Sequence, residues 1–331
     1  MPRNDSASPT AEPPTAEPPT AEPPTAVLAV FRLAALFVFL AVAMGAVVCA
    51  TGSGASCPTW PGCRPDQITP QWQLSPVIEF IHRVVAMSAG PLVLAAAVMS
   101  RRLTGPNRWV RILPWVALAG ALASGAFGRL VVLSSLPTWL GGVDLFCALT
   151  AMTTMGVAAV VLGSPPSERT SRPAEWHPLQ VKSLAAMSVI VLVVMHDTGI
   201  FAAAPLSYTR CMGWPIWQVV GTDLHPLLQG LRLGLAGLGA VLVITTAVMA
   251  ARTERLRTWG IVIGTLFAAE MVLGLVIRAG GISAGVASAY SVLAVALLSC
   301  LGLLMAVAWS ALVDTDAKAM ETTPPQPAAV R

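Results

Sequence analysis

The chain has 331 residues, of which 55% are hydrophobic and only 11% charged. Soluble domains carry about 25% charged residues, so this chain lacks the polar groups to coat a water-facing surface. A net charge of +4 with no basic stripe or aromatic-studded groove excludes nucleic acid as a partner, and a mean hydropathy of +0.72 points to a polytopic membrane protein in contact with lipid.

Residues 1–26 are low-complexity, with Ala-Glu-Pro-Pro-Thr recurring from Ala11. Proline at this density blocks helix and sheet, so a disordered tail is expected. The tail carries neither the basic start nor the cleavage site of a signal peptide. A second disordered tail is expected over residues 313–331. Between the tails lie eight apolar segments, at about 27–50, 75–99, 112–134, 138–163, 181–203, 218–250, 259–279 and 284–312. Each is long enough for a membrane-spanning helix. The sequence thus predicts an all-α polytopic membrane protein of eight transmembrane helices.

The loops alternate in charge. Arg101, Arg102, Arg108 and Arg111 follow the second segment, Arg169, Arg172 and Lys182 the fourth, and Arg252, Arg255 and Arg257 the sixth. The loops after the first and fifth carry only Arg64 and Arg210. The positive-inside rule then puts both termini in the cytoplasm of a plasma-membrane protein, with the loops around Cys57 and Cys211 outside.

The two halves resemble each other. Cys57-Pro-Thr-Trp60-Pro61 answers Cys211-Met-Gly-Trp214-Pro215 at an offset of 154 (211 − 57). Thr51-Gly52 answers Thr198-Gly199 at 147, and His82 answers His225 at 143. This predicts a tandem duplication in parallel orientation, with four-helix halves at 27–163 and 181–312 joined by a basic cytoplasmic linker at 164–180.

Glu79, His82 and Arg83 stand inside an apolar segment, where each is costly unless paired or ligated. Glu79 and His82 are three residues apart and share a helix face. They form either a polar structural cluster at the membrane edge or a functional site. His82 and His225, one per half, suggest a cofactor in each four-helix unit, and haem suits a bundle core with histidine as axial ligand. Zinc would need more nitrogen and sulfur ligands than either half supplies. Arg83, Arg129, Arg232 and Arg278 could pair with haem propionates or snorkel to the interface. Cys57 and Cys63 are placed for a disulfide, structural or thiol-exchanging. Trp217 stands where a partner for Cys211 would be, and Cys49, Cys147 and Cys300 read as small core residues.

Thr51-Gly52-Ser-Gly54-Ala-Ser-Cys57-Pro-Thr-Trp60-Pro61-Gly-Cys63, followed by Glu79-x-x-His82-Arg83, resembles the first-half signature of the haem A synthase family. The resemblance covers residues 27–312 and is weaker in the second half. It implies oxidation of the C8 methyl of haem O to the formyl of haem A, for cytochrome oxidase. It implies substrate haem O in the first half, haem b in the second, and two histidine ligands in each. Glu79 takes the position of the catalytic acid, His82 that of a substrate-haem ligand, and His225 that of a cofactor-haem ligand. Cys57 and Cys63 take the place of the loop pair. The implied partners are a haem O synthase, cytochrome oxidase assembly factors and an electron donor of unstated identity, with a homo-oligomer left open.

Two positions depart from the pattern. Gly128 to Asp144 and Gly274 to Tyr290 each run sixteen steps, and the second ligand of each half falls on Asp144 and Tyr290. Tyrosinate ligates haem iron. A carboxylate is a poor ferrous ligand and leaves the iron face open or accepts a proton. His196-Asp197 is either a replacement ligand or an interfacial polar pair, and His177 reads as a surface residue. Two further readings stand beside the enzyme. One is a non-catalytic haem-handling protein of the same fold. The other is a membrane thiol–disulfide protein using Cys57 and Cys63.

Overall fold

A computed structural model describes residues 23–103, 108–133, 138–164, 178–202, 210–215 and 226–322. Every long element among them is helical, and no strand occurs. The eight helices are α1 (Thr25–Ala50), α2 (Leu74–Arg102), α3 (Arg108–Leu133), α4 (Thr138–Gly163), α5 (Pro178–Ala202), α6 (Pro226–Ala251), α7 (Arg257–Gly280) and α8 (Ala284–Thr322). Each contains a stretch long and apolar enough to cross a membrane. Their outward faces are apolar as well: Leu122, Ile190, Val241 and Leu275 are all more than half exposed. Helices satisfy their own backbone hydrogen bonds, so they can present such faces to lipid. The chain is an all-helical integral membrane protein.

Two helix boundaries bear on the sequence expectation. α6 is described from Pro226, and its expected start near residue 218 lies outside the described residues. Pro226 suits a first helical turn, where its missing N–H costs nothing. α8 runs on to Thr322, so the disorder expected from residue 313 does not hold over 313–322. No proline interrupts that stretch, and Ala317, Lys318, Ala319, Met320 and Glu321 are good helix formers. The N-terminal repeats up to residue 22, the residues 165–177 with His177, and the residues 216–225 with Trp217 and His225 lie outside the described residues.

α1 packs on α2 and α4, α2 on α3, and α3 on α4. The same ring recurs as α5 on α6 and α8, α6 on α7, and α7 on α8. The rings meet where α8 lies against α1 and α4, and α4 against α5. Small residues permit the closest approaches. A Cβ at Gly120 of α3 would lie 2.7 Å from the Cys147 carbonyl oxygen of α4. One at Gly260 of α7 would lie 2.3 Å from the Ala251 nitrogen of α6.

α1 ends on a left-handed glycine. Gly52 has φ +64°, its N–H donates to Cys49 O, and the Ser53 N–H donates to Val48 O. This is a Schellman stop, which glycine enters without a Cβ penalty. It turns the chain at Cys49 and starts the loop that carries Cys57 and Cys63. A crevice of about 420 Å³ between α1, α4 and α8, lined by Arg32, Gly156 and Ser164, opens at the other end of α1, away from that loop.

Candidate functional site

The α1–α2 loop folds back on the start of α2. Cys57 and Cys63 are joined by a disulfide, with Cα atoms 4.2 Å apart, and both are buried. Glu79 and Arg83 lie one helical turn apart, are also buried, and form an ion pair. Glu79 Oε2 accepts from the Cys57 N–H at 2.9 Å. Arg83 donates to the carbonyl oxygens of Thr59, Gly62 (3.1 Å) and Cys57 (2.9 Å). The loop lacks secondary structure to satisfy these carbonyls, and Arg83 satisfies three of them. Glu79 and Arg83 therefore clamp the disulfide loop onto α2.

His82 is turned toward α1 instead. Its ring reaches toward the Ala41 carbonyl, and a Cβ at Gly45 would lie 3.2 Å from His82 Cε1. Its Nδ1 is buried with no hydrogen-bond partner among the described residues. A buried orphan nitrogen is costly to keep, and ligation would satisfy it. This histidine fits a haem iron ligand on that ground. Asp144 does not offer itself as the second one. Its Oδ1 accepts from Ser124 Oγ of α3 at 2.5 Å. Cys147 of α4 lies within the electrostatic reach of both Asp144 and Asp197. Arg129 is exposed and sits 5.6 Å over the Trp60 ring, as an interfacial cation would. Arg278 is exposed too.

The second half gathers a different set. His196 of α5 is 1% exposed, and neither ring nitrogen has a partner among the described residues. It is a core residue, not an interfacial one. Arg232 of α6 is equally buried, donates to the Gly213 carbonyl at 2.7 Å, and acts electrostatically on both His196 and Tyr290. Glu270 of α7 is fully buried, and neither carboxyl oxygen has a hydrogen-bond partner among the described residues. Tyr290 of α8 meets the Trp214 backbone. The Trp214 indole N–H is directed toward Glu270 without reaching hydrogen-bond geometry. Each of the four helices thus contributes one polar side chain.

Two cysteine assignments are corrected. Cys49 is not a core residue, and Cys211 does not lack a partner. They form a disulfide with Cα atoms 5.4 Å apart, linking the end of α1 to the α5–α6 loop. The sequence predicts one pair, Cys57 with Cys63, and leaves Cys211 unpaired because Trp217 stands where its partner would be, yet a second bond joins the halves. Cys49, Cys57, Cys63 and Cys211 fall on segment ends of one sidedness, and their even number was the available signal. Glu270 was also missed. It is an acid inside an apolar run, Phe267-Ala-Ala-Glu270-Met-Val, which is grounds enough to single it out.

No protein-family model matches the chain. Among curated proteins it is similar to the haem A synthase of Symbiobacterium thermophilum, 28% identical over 220 residues, covering 62% of this chain and 69% of that one. The haem A synthase of Shouchella clausii is 29% identical over 187 residues, covering 55% of this chain and 60% of that one. A protoheme IX farnesyltransferase of Halobacterium salinarum is 32% identical over 149 residues, covering 45% of this chain and 32% of that one. The matches therefore leave about a third of the first synthase's length and two fifths of the second's uncovered. The kinship is distant, and it agrees with the loop and helix motifs of the first half: the chain is an integral membrane protein related to the haem A synthase family.

Proposed function

We propose that the protein is a haem A synthase-like oxidoreductase that converts the C8 methyl of haem O to the formyl of haem A for cytochrome oxidase. The observation that carries this is His82, a half-buried imidazole whose Nδ1 is buried and unsatisfied among the described residues, beside an intact Glu79–Arg83 clamp, in a chain whose relatives include haem A synthases. Substrate haem O binds in the first half on His82. Converting a methyl to a formyl removes four electrons and adds one oxygen atom, so an oxidant and an oxygen source from outside the chain are required. The chain's own residues bind and orient. His82 fixes the porphyrin, and Glu79 and Arg83 hold the disulfide loop over the start of α2, shielding the reacting edge from water. In the plasma membrane, with both termini cytoplasmic, this loop lies on the outer side.

The test is the identity of extracted haem. The chain is expressed with a haem O synthase in a host that makes no haem A, and the haem is separated and weighed by mass spectrometry. Haem A or its hydroxylated precursor is expected, and Glu79→Ala is expected to abolish it while the protein still inserts. Haem O alone from well-folded protein favours the second reading, a haem-handling protein without catalysis. That reading draws on Asp144, which is bonded to Ser124 and leaves the first half with one imidazole. Burial of both Cys57 and Cys63 argues against a thiol–disulfide exchanger working through that pair.

A further inference from the structure

Burial repeats between the halves and fixes their register. Val27, Phe31, Ala34 and Val38 of α1 are buried, and so are Val181, Ala185, Ser188 and Leu192 of α5, at an offset of 154 (181 − 27). Cys57/Cys211 and Trp60/Trp214 share that offset. In α2 and α6 the buried pairs are Ala89/Gly239, Val93/Val243, Ala96/Thr246, Ala97/Ala247 and Ser100/Ala250, all at 150 (239 − 89). In α4 and α8 the pairs Leu149/Val295, Met152/Leu298, Met155/Leu301 and Ala158/Leu304 fall at 146 (295 − 149).

These registers place Arg232, not His225, opposite His82 (232 − 82 = 150). They place Gly199 opposite Gly45 (199 − 45 = 154). The contacts agree: His82 lies against Gly45, and Arg232 lies against Gly199, where a Cβ would sit 2.6 Å from its Nη2. The guanidinium occupies the station of the imidazole at the same helix crossing. Tyr290 stands opposite Asp144 (290 − 144 = 146).

The matched tryptophans then behave in opposite ways. Trp60 is 42% exposed, whereas Trp214 is 4% exposed. Trp214 enters the second ring of helices. A Cβ at Gly239 would lie 3.5 Å from the tip of its indole and 3.0 Å from Leu192, and its ring meets Phe267 edge-on with centroids 5.4 Å apart. Gly239 lies seven residues beyond Arg232, about 10 Å further along α6. The indole therefore fills the bundle axis below a layer of Arg232, Glu270, Tyr290 and His196.

We propose that the second half is a self-filled bundle that holds no haem, and that the chain carries a single porphyrin, on His82 in the first half. This rests on the haem-binding reading above. It departs from the two-haem arrangement that the resemblance implies. Haem b does not fit here: Arg232, a lasting cation with no lone pair to offer, holds the station opposite His82, Tyr290 is engaged with the Trp214 backbone, and the Trp214 indole holds the space a macrocycle needs. His196, although both its nitrogens lack a partner among the described residues, therefore has no room for a porphyrin beside it. No step of the chemistry is assigned to a second porphyrin.

The test is the ratio of porphyrin to chain. Full-length protein is purified from a host co-expressing a haem O synthase. Total haem is measured as the pyridine haemochrome, and protein by amino-acid analysis. One haem per chain is expected, reduced to background in His82→Ala and unchanged in His196→Ala. Two haems per chain, or a ratio that falls in His196→Ala, overturns the inference while leaving the haem reading intact. Folded wild-type protein with no haem overturns the haem reading itself and the one-haem count with it. The wild-type ratio decides between one and two even if the His82 variant does not fold.

Discussion

Glu79 has two duties in this molecule, and they are separable. One oxygen pairs with Arg83, and the other takes the Cys57 N–H. Removing one member of a buried ion pair strands the other, at a cost of roughly 3–5 kcal/mol. Glu79→Ala is expected to lower the unfolding temperature in detergent as well as stop haem oxidation. Glu79→Gln keeps an acceptor for Cys57 and is expected to recover part of the stability. Equal unfolding temperatures for wild type and Glu79→Ala would show that the clamp contributes nothing. Gly52 offers a cleaner test of local geometry. Its φ of +64° is open to glycine and costs a β-branched residue about 1–2 kcal/mol. Gly52→Val is therefore expected to destabilise by that amount. Circular dichroism melts check it, and an unchanged melt contradicts the Schellman stop.

The helices themselves were legible because apolar runs of this length have few other fates. The register between the halves was misread, and the reason is physical. The sequence matches at 143 and 147 each fall seven short of the structural 150 and 154. Seven residues turn a helix to within about 20° of two full turns, so a one-heptad error leaves the facing side almost unchanged while shifting it about 10 Å along the axis. Burial resolves that shift, and a motif of two or three residues does not. The site was half legible for a related reason. Glu79 and Arg83 stood out as charges in an apolar run, but Trp214 looks like any interfacial tryptophan until its burial is known. Helix crossings are testable at the same scale. Gly260→Ala would drive a Cβ into the α6 backbone, which cannot yield as a side-chain tip can. The expected loss is about 1–3 kcal/mol. Gly264→Ala, whose Cβ would meet Ala247 at an ordinary 3.9 Å, is the control that should be nearly silent.

Over the whole molecule, the halves share two kinds of contact. α8 lies against α1 and α4, and the Cys49–Cys211 disulfide ties α1 to the α5–α6 loop. A protease cut between residues 165 and 177 should therefore leave two fragments that run together on a denaturing gel until thiol is added. In Cys211→Ser they should separate without reductant, and separation of the wild-type fragments in its absence excludes the bond. A cross-link across 162 residues stabilises by roughly 3–5 kcal/mol in the chain-entropy model, so the variant is also expected to melt earlier.

That same bond records how the chain was threaded. Cys211 leaves the ribosome roughly ten to thirty seconds after Cys49. The two sulfurs can meet only if four intervening crossings have returned the polypeptide to the face from which it started. A molecule with one segment skipped or inverted strands its thiols on opposite sides of the bilayer, where no oxidant can join them. The cross-link is thus a receipt for correct insertion. In a pulse-labelled culture, its rate of appearance would time the moment at which the second half arrives beside the first.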